Sequence, residues 1–277
     1  MCMQDKVVFI SVVRDFEMYD KLVRRNPYNE GAAFTCFDNR ISNVGVATRY
    51  NSFLDSYDYS EPAWFVFCHE DWELNEDLRP KLSKLNKDSL YGPIGISSVI
   101  GGNSIYLYPR GFCRQTSRDG SHEKMNRGLF RSGTVDTFDC QCLIVHSSLV
   151  LKRSLRFDDN FTFDLYVEDF CIQAHEKFGI VSRILPLDCR HWSHGNVTER
   201  FERLLGRLSD KCSGIYASVV NASIIGERYR AEKFRVVTFR HFPLNHPEKY
   251  WLLMKYSRNR FRGEAGAENH IFSPLVQ

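Results

Sequence analysis

The run Ala63-Trp64-Phe65-Val66-Phe67-Cys68 is apolar from end to end and stops abruptly at His69-Glu70-Asp71. Six residues without polar alternation read as a strand buried on both faces, as in a parallel sheet covered by helices on both sides. Such a strand delivers the ionisable groups at its carboxyl end to the sheet rim, where open α/β sheets bind ligands. Phe157-Asp158-Asp159, Glu168-Asp169 and the late His191 also set charge beside apolar residues. Carboxylates gathered at one rim repel each other unless a cation, a bound proton or a cationic substrate offsets them. The set therefore points to a metal-dependent site.

The rest of the chain alternates strand and helix. Val7–Val13 is a β-branched strand, Glu17–Arg25 has helical character, and Thr35-Cys36-Phe37 is a short strand with a polar exit at Asp38-Asn39. Asn43–Tyr57, containing Arg49-Tyr50-Asn51, reads as a helix, and Gly92–Val99 and Val135–Val145 read as strands. Glu168–Phe178 has helical spacing stopped by Gly179, and Ile180–Leu185 is a strand ended by Pro186. This order is the signature of a mainly parallel sheet flanked by helices. Between them, Tyr108–Gly133 is polar and rich in Gly and Arg, and is expected to be a mobile loop or short hairpin acting as a lid. Thr198–Gly226 is expected to form one or two amphipathic helices, capped by Thr198 or Asn196. Lys255–Arg262 is basic, and the polar tail beyond Gly263 is expected to be loosely held. The expected organisation is a domain over 1–196 with a helical C-terminal extension over 197–277 packed on it.

A length of 277 residues with 43% apolar and 26% charged content suits one large soluble α/β domain. The net charge of +3 is too small to argue for nucleic acid, and none is expected as a partner. Nine cysteines include no CxxC pair; Cys36, Cys68 and Cys171 sit in apolar runs as small hydrophobes. Cys140 and Cys142 share a strand face, where backbone geometry disfavours a disulfide. The odd count and the absence of a leader pattern lead to an expectation of a reducing cytoplasm. No apolar stretch is long enough to span a bilayer. Any membrane contact would be peripheral, at the inner face, with Arg258-Asn259-Arg260-Phe261-Arg262 meeting anionic headgroups.

Each candidate has a chemical and a structural reading. Asp71, with His69, can hold a divalent cation against a diphosphate, or the acidic pair can complement a following helix. Oxygen ligands suit Mg²⁺ or Mn²⁺, and a histidine favours Mn²⁺. Glu168-Asp169 can supply a general base for an acceptor hydroxyl, or can complement a helix dipole. In Arg190-His191-Trp192-Ser193-His194-Gly195, His191 is the preferred metal ligand and His194 the weaker one. Asp38 can accept from the imide N–H of a base, or can close an Asx turn.

Taken in order, these segments resemble family 2 glycosyltransferases of the GT-A fold, in the bacterial branch whose Asp-x-Asp takes the form Phe-x-His-x-Asp. The matching stretches are Val8–Val13, Arg49-Tyr50-Asn51, Phe67–Asp71, Val135–Asp139, Phe157-Asp158-Asp159, Glu168-Asp169 with Gly179, and His191-x-Ser193-x-Gly195. The resemblance implies a Rossmann-like, mixed but mainly parallel sheet over 1–196. It also implies a nucleotide-sugar donor, Mn²⁺ or Mg²⁺, a glycan or lipid-linked acceptor, and inversion by direct displacement in surface-polysaccharide assembly. Transferred residue by residue, Asp38, Asn51 and Asp71 contact the donor; the Arg-rich composition of Tyr108–Gly133, rather than the resemblance, adds Arg114. Asp71, His191 and His69 hold the metal, Asp169 is the base beside Glu168, and Asp139 lies toward the acceptor. Arg110 and Arg118 are alternative diphosphate contacts. His69 departs from the usual first aspartate, which motivates a second reading as a nucleotide-sugar- or carbohydrate-binding module without turnover. A metal-dependent hydrolase or nucleotidyltransferase is a third.

Overall fold

A computed structural model describes residues 5–101, 104–127, 131–193, 198–226 and 234–236. His194, Asn196, the Lys255–Arg262 stretch and the tail lie outside them. The strands are β1 (Lys6–Val13), β2 (Ala33–Asp38), β3 (Ala63–Cys68), β4 (Trp72–Leu74), β5 (Ser89–Gly92), β6 (Ile94–Gly101), β7 (Ser104–Thr116) and β8 (Glu123–Arg127). They continue as β9 (Gly133–Val135), β10 (Thr137–Phe138), β11 (Cys142–His146), β12 (Val181–Ile184), β13 (Cys189–His191), β14 (Tyr216–Ser218), β15 (Ser223–Ile225) and β16 (Phe234–Val236). The helices are α1 (Phe16–Tyr19), α2 (Val46–Ser56), α3 (Arg79–Leu82), α4 (Ser147–Arg153), α5 (Tyr166–Phe178) and α6 (Glu199–Lys211).

The larger sheet has the order β2-β1-β3-β11-β5-β12-β9. Strands β1, β2, β3, β5 and β12 run parallel, while β11 and β9 run against their neighbours. The fold is therefore mixed α/β with a largely parallel sheet. β3 lies between β1 and β11 and is buried along its whole length. Phe65 and Phe67 enter the core built with Tyr50 and Phe53 of α2 and Phe170 of α5. Trp64, Val66 and Cys68 enter the opposite core with Tyr19, Leu22, Trp72 and Cys113. At about 1.5–3 kcal/mol for each large apolar side chain, β3 is a principal source of stability.

Helices do not cover both faces equally. The face opposite α2 and α5 meets α1, a π-helical turn over Asp20–Arg24, and strands of the second sheet. That sheet has the order β10-β6-β7-β13-β4, with β8 and β16 also on β7. Of the two forms expected for Tyr108–Gly133, a mobile loop or a short hairpin, the described part takes the second: it is largely the β7–β8 hairpin. Gly111, at φ +86, lets β7 bend from β6 toward β8; a Cβ there would lie 2.1 Å from the Pro93 carbonyl oxygen. The expected Val135–Val145 strand is three short ones, broken where Asp136 turns to accept from Ser98 N and Asp139 from Gln141 N. The C-terminal region is also not wholly helical. α6 ends at Lys211 because Ser213 and Gly214 donate their N–H groups to Glu176 Oε1, and β14–β15 follows as a hairpin. No helix among the described residues is long and apolar enough to cross a membrane.

Candidate metal centre and cavity

The carboxyl ends of β1, β2 and β3 open onto a cavity of about 530 Å³. Val12, Asn39, His69, Glu70 and Asp71 line it from these strand ends, and Val44, Gly45 and Val46 from the start of α2. Thr162 and Phe163 close one wall, Arg118 comes from the tip of the β7–β8 hairpin, and Arg200 from the first turn of α6. Gly45 allows the helix start to approach Thr162, whose Cα would lie 3.2 Å from a Cβ there; Val46 N donates to Thr162 O at 2.6 Å.

Among the described residues, His69, Asp71 and His191 form a group able to hold a metal ion. His69 and Asp71 follow β3, while His191 ends β13, which pairs with β4 so that His191 faces Trp72 in register. Trp192 N donates to Asp71 O at 2.9 Å and so joins the two segments. His69 Nδ1 lies 3.4 Å from His191 Nε2 and 3.9 Å from Asp71 Oδ1, and His191 Nε2 lies 3.2 Å from Asp71 Oδ1. Ligand atoms bound at about 2.1 Å to one cation stand roughly 3.0–3.4 Å apart, so little movement is needed to close on an ion. Asp71 Oδ1 is buried and makes no well-aligned hydrogen bond; its neighbour is His191 Nε2 in an ion-pair contact, which a cation could replace.

One contact selects the histidine tautomer. Tyr166 Oη donates its single hydrogen to the Cys140 carbonyl at 2.8 Å, so it accepts from His69 Nε2 at 3.0 Å. The lone pair of His69 is then on Nδ1, facing Asp71 and His191. Tyr166 is aimed there by Leu165, a buried non-glycine residue at φ +62 just before α5. Such a conformation costs about 1–3 kcal/mol and is sustained by surrounding structure.

The charges reinforce each other. Burial alone would raise the Asp71 pKa, but His191, His69 and Arg118 hold it down at about 2. Burial opposes the His191 imidazolium, yet Asp71, with Asp139 further off, raises its pKa to about 9. Burial and the neighbouring His191 lower that of His69.

Asp38, Asn51, Arg114, Glu168 and Asp169, also expected at the site, do not line this cavity. Asp38 pairs with Arg40 at 2.5 Å; Asn39, the next residue, lines the cavity. Asn51 is occupied by the Phe157–Asp159 turn: Nδ2 donates to Phe157 O (2.9 Å) and Asp159 Oδ1 (3.0 Å), and Oδ1 accepts from Phe157 N (2.9 Å). Arg114 lies 3.6 Å from Asp188, and the hairpin arginine at the cavity is Arg118, 3.8 Å from Asp71. Asp169 is not in the cavity lining; it is 1% exposed and paired with Lys211 at 2.6 Å, which also holds Asp158 at 2.7 Å. Glu168, also buried, accepts from Ser218 Oγ at 2.9 Å. Sequence reasoning left Arg14, Tyr166, Phe163 and Arg200 out of the site. The Asp119-Gly120 turn signal would have placed Arg118 at a hairpin tip.

No protein-family model matches the chain, and no curated protein does. Among solved structures it is similar to the crystal structure of GalNAc-T7 with UDP, GalNAc and Mn²⁺, at 7% identity and TM-score 0.46, over 76% of this chain and 49% of that one. It is similar to S. aureus TarS 1–349 at 10% identity and TM-score 0.40, over 68% of this chain and 60% of that one. The similarity to A197 from STIV has 15% identity and TM-score 0.36, over 86% of this chain and 100% of that one. The chain thus spans about half of the first structure and three-fifths of the second.

Proposed function

We propose that this chain is a divalent-metal-dependent glycosyltransferase that takes a sugar from a nucleotide donor to a hydroxyl of a glycan or glycolipid. The observation that carries the reading is the meeting of His69, Asp71 and His191 beside the cavity at the carboxyl ends of β1–β3. Mn²⁺ suits two imidazoles and a carboxylate better than Mg²⁺ does. When bound, the cation offsets the negative charge of a leaving diphosphate. Arg14, Arg118 and Arg200 reach the cavity from three separate segments, and the positive end of the α2 dipole faces it. These groups bind and orient an anion, and Tyr166 holds His69 in the metal-binding tautomer.

One observation favours the second reading, a nucleotide-sugar-binding module without turnover. The Lys211–Asp169 pair occupies the carboxylate that would serve as base. The two readings differ in a simple assay. A thermal-shift screen of UDP-, GDP-, TDP- and CMP-sugars with Mn²⁺ and Mg²⁺ reports donor binding. Release of free sugar or transfer to an added glycan then distinguishes the enzyme from the module. Absence of any metal-dependent nucleotide stabilisation would remove both.

A further inference from the structure

A second, smaller cavity of about 170 Å³ lies beside the first, and Arg118 lines both. Its walls come from the start of α1 and the π-helical turn after it (Asp15, Glu17, Met18, Lys21) and from Trp192. At about 30 Å³ per water it has room for roughly six waters, the scale of one sugar ring rather than a nucleotide.

The two cavities differ in charge. Arg14, Arg118 and Arg200 face Glu70 and Asp71 in the first, beside a group suited to a cation, so it favours an anion. In the second, Asp15 and Glu17 balance Lys21 and Arg118. A balanced rim with both acceptors and donors suits an uncharged ligand rich in hydroxyls, and an indole beside it suits the C–H face of a pyranose. Trp192 is held in place: its Nε1 donates to Glu73 at 2.9 Å, Arg190 lies 5.1 Å from its ring, and its backbone is bonded to Asp71 O.

We infer that this cavity binds one uncharged sugar ring, the terminal residue of the acceptor glycan, next to the donor. The inference rests on the glycosyltransferase reading for the word acceptor, but not for the sugar itself.

Saturation-transfer NMR with the methyl glycosides of glucose, galactose and N-acetylglucosamine tests it on the full chain. At least one glycoside binds the wild type, and Glu17→Gln and Lys21→Ala each weaken it about tenfold, the loss expected of one charge-assisted hydrogen bond. Both positions are exposed, so the variants retain the fold, and calorimetry with UDP and Mn²⁺ gives the wild-type value in each. Failure of all three glycosides to bind, or equal binding to both variants, overturns the sugar site even where UDP binds. Glycoside binding that responds to the variants, in a protein that ignores UDP and metal, keeps the sugar site and discards the glycosyltransferase.

Discussion

Tyr166 Oη stands 3.0 Å from His69 Nε2 while passing its own hydrogen to the Cys140 carbonyl. A phenol that has spent its proton can only accept from the imidazole, and this determines which ring nitrogen faces Asp71 and His191. The buried backbone around Leu165 thus sets which nitrogen of His69 is left free toward Asp71 and His191.

Tyr166→Phe should therefore weaken Mn²⁺ binding about 10–100-fold, the usual effect of losing a partner that orients a ligating histidine. Isothermal titration calorimetry of the chelator-treated protein reads this directly. Asp71→Asn, which removes the only carboxylate of the group, should lose more. Wild-type affinity in Tyr166→Phe would mean that His69 does not ligate through Nδ1.

What could be read from the chain, and what could not, has a physical pattern. Val7–Val13 and Ala63–Cys68 are legible as strands because uninterrupted apolar runs have few other uses. His69, Asp71 and His191 are legible as candidates because a strand end fixes where a side chain emerges. Asp38 and Arg114 carry the right charge, but their partners, Arg40 and Asp188, decide where that charge is used. Nothing local in 198–226 announces that Glu176, on another helix, ends α6 and leaves the next residues to a hairpin. Pairings across the fold are tertiary facts, and residue spacing does not encode them.

Glu168 provides a pH-dependent stability. Burial, then Asp139 and Asp164, raise its pKa from 4.5 to about 8 against the opposing bond from Ser218. Between those values the unfolded chain is ionised while the folded one keeps the proton, so stability falls as pH rises through that window. Glu168→Gln retains the acceptor for Ser218 and has no charge to suppress. It should melt like the wild type at pH 4.5 and several degrees higher at pH 8. Parallel melting curves at both pH values would show that Glu168 is not buried in its neutral form.

Asn51 holds the Phe157–Asp159 turn against α2 through three hydrogen bonds. Asn51→Ala leaves the Phe157 N–H and carbonyl unpaired near the core, at a cost of about 2 kcal/mol. Urea unfolding should register that loss, with nucleotide and metal affinities of the folded protein unchanged. A selective loss of nucleotide binding at full stability would instead return Asn51 to the donor site.

Lys211 and Asp169 form a pair in which one partner is nearly fully buried and the other is about one-third exposed at its side chain. That asymmetry makes the two truncations unequal. Lys211→Met strands the Asp169 carboxylate in the interior and should cost about 3 kcal/mol, whereas Asp169→Asn leaves a lysine that can reach solvent and should cost less. The double variant, with the Asp169 charge also removed and only the less buried Asp158 left without Lys211, should recover part of the loss seen in Lys211→Met. Denaturant midpoints for the three proteins give this cycle. Turnover measured on Asp169→Asn separates the two roles: a well-folded variant that still transfers sugar would make Asp169 a structural anion, and one that binds donor but transfers none would require Lys211 to move aside during the reaction.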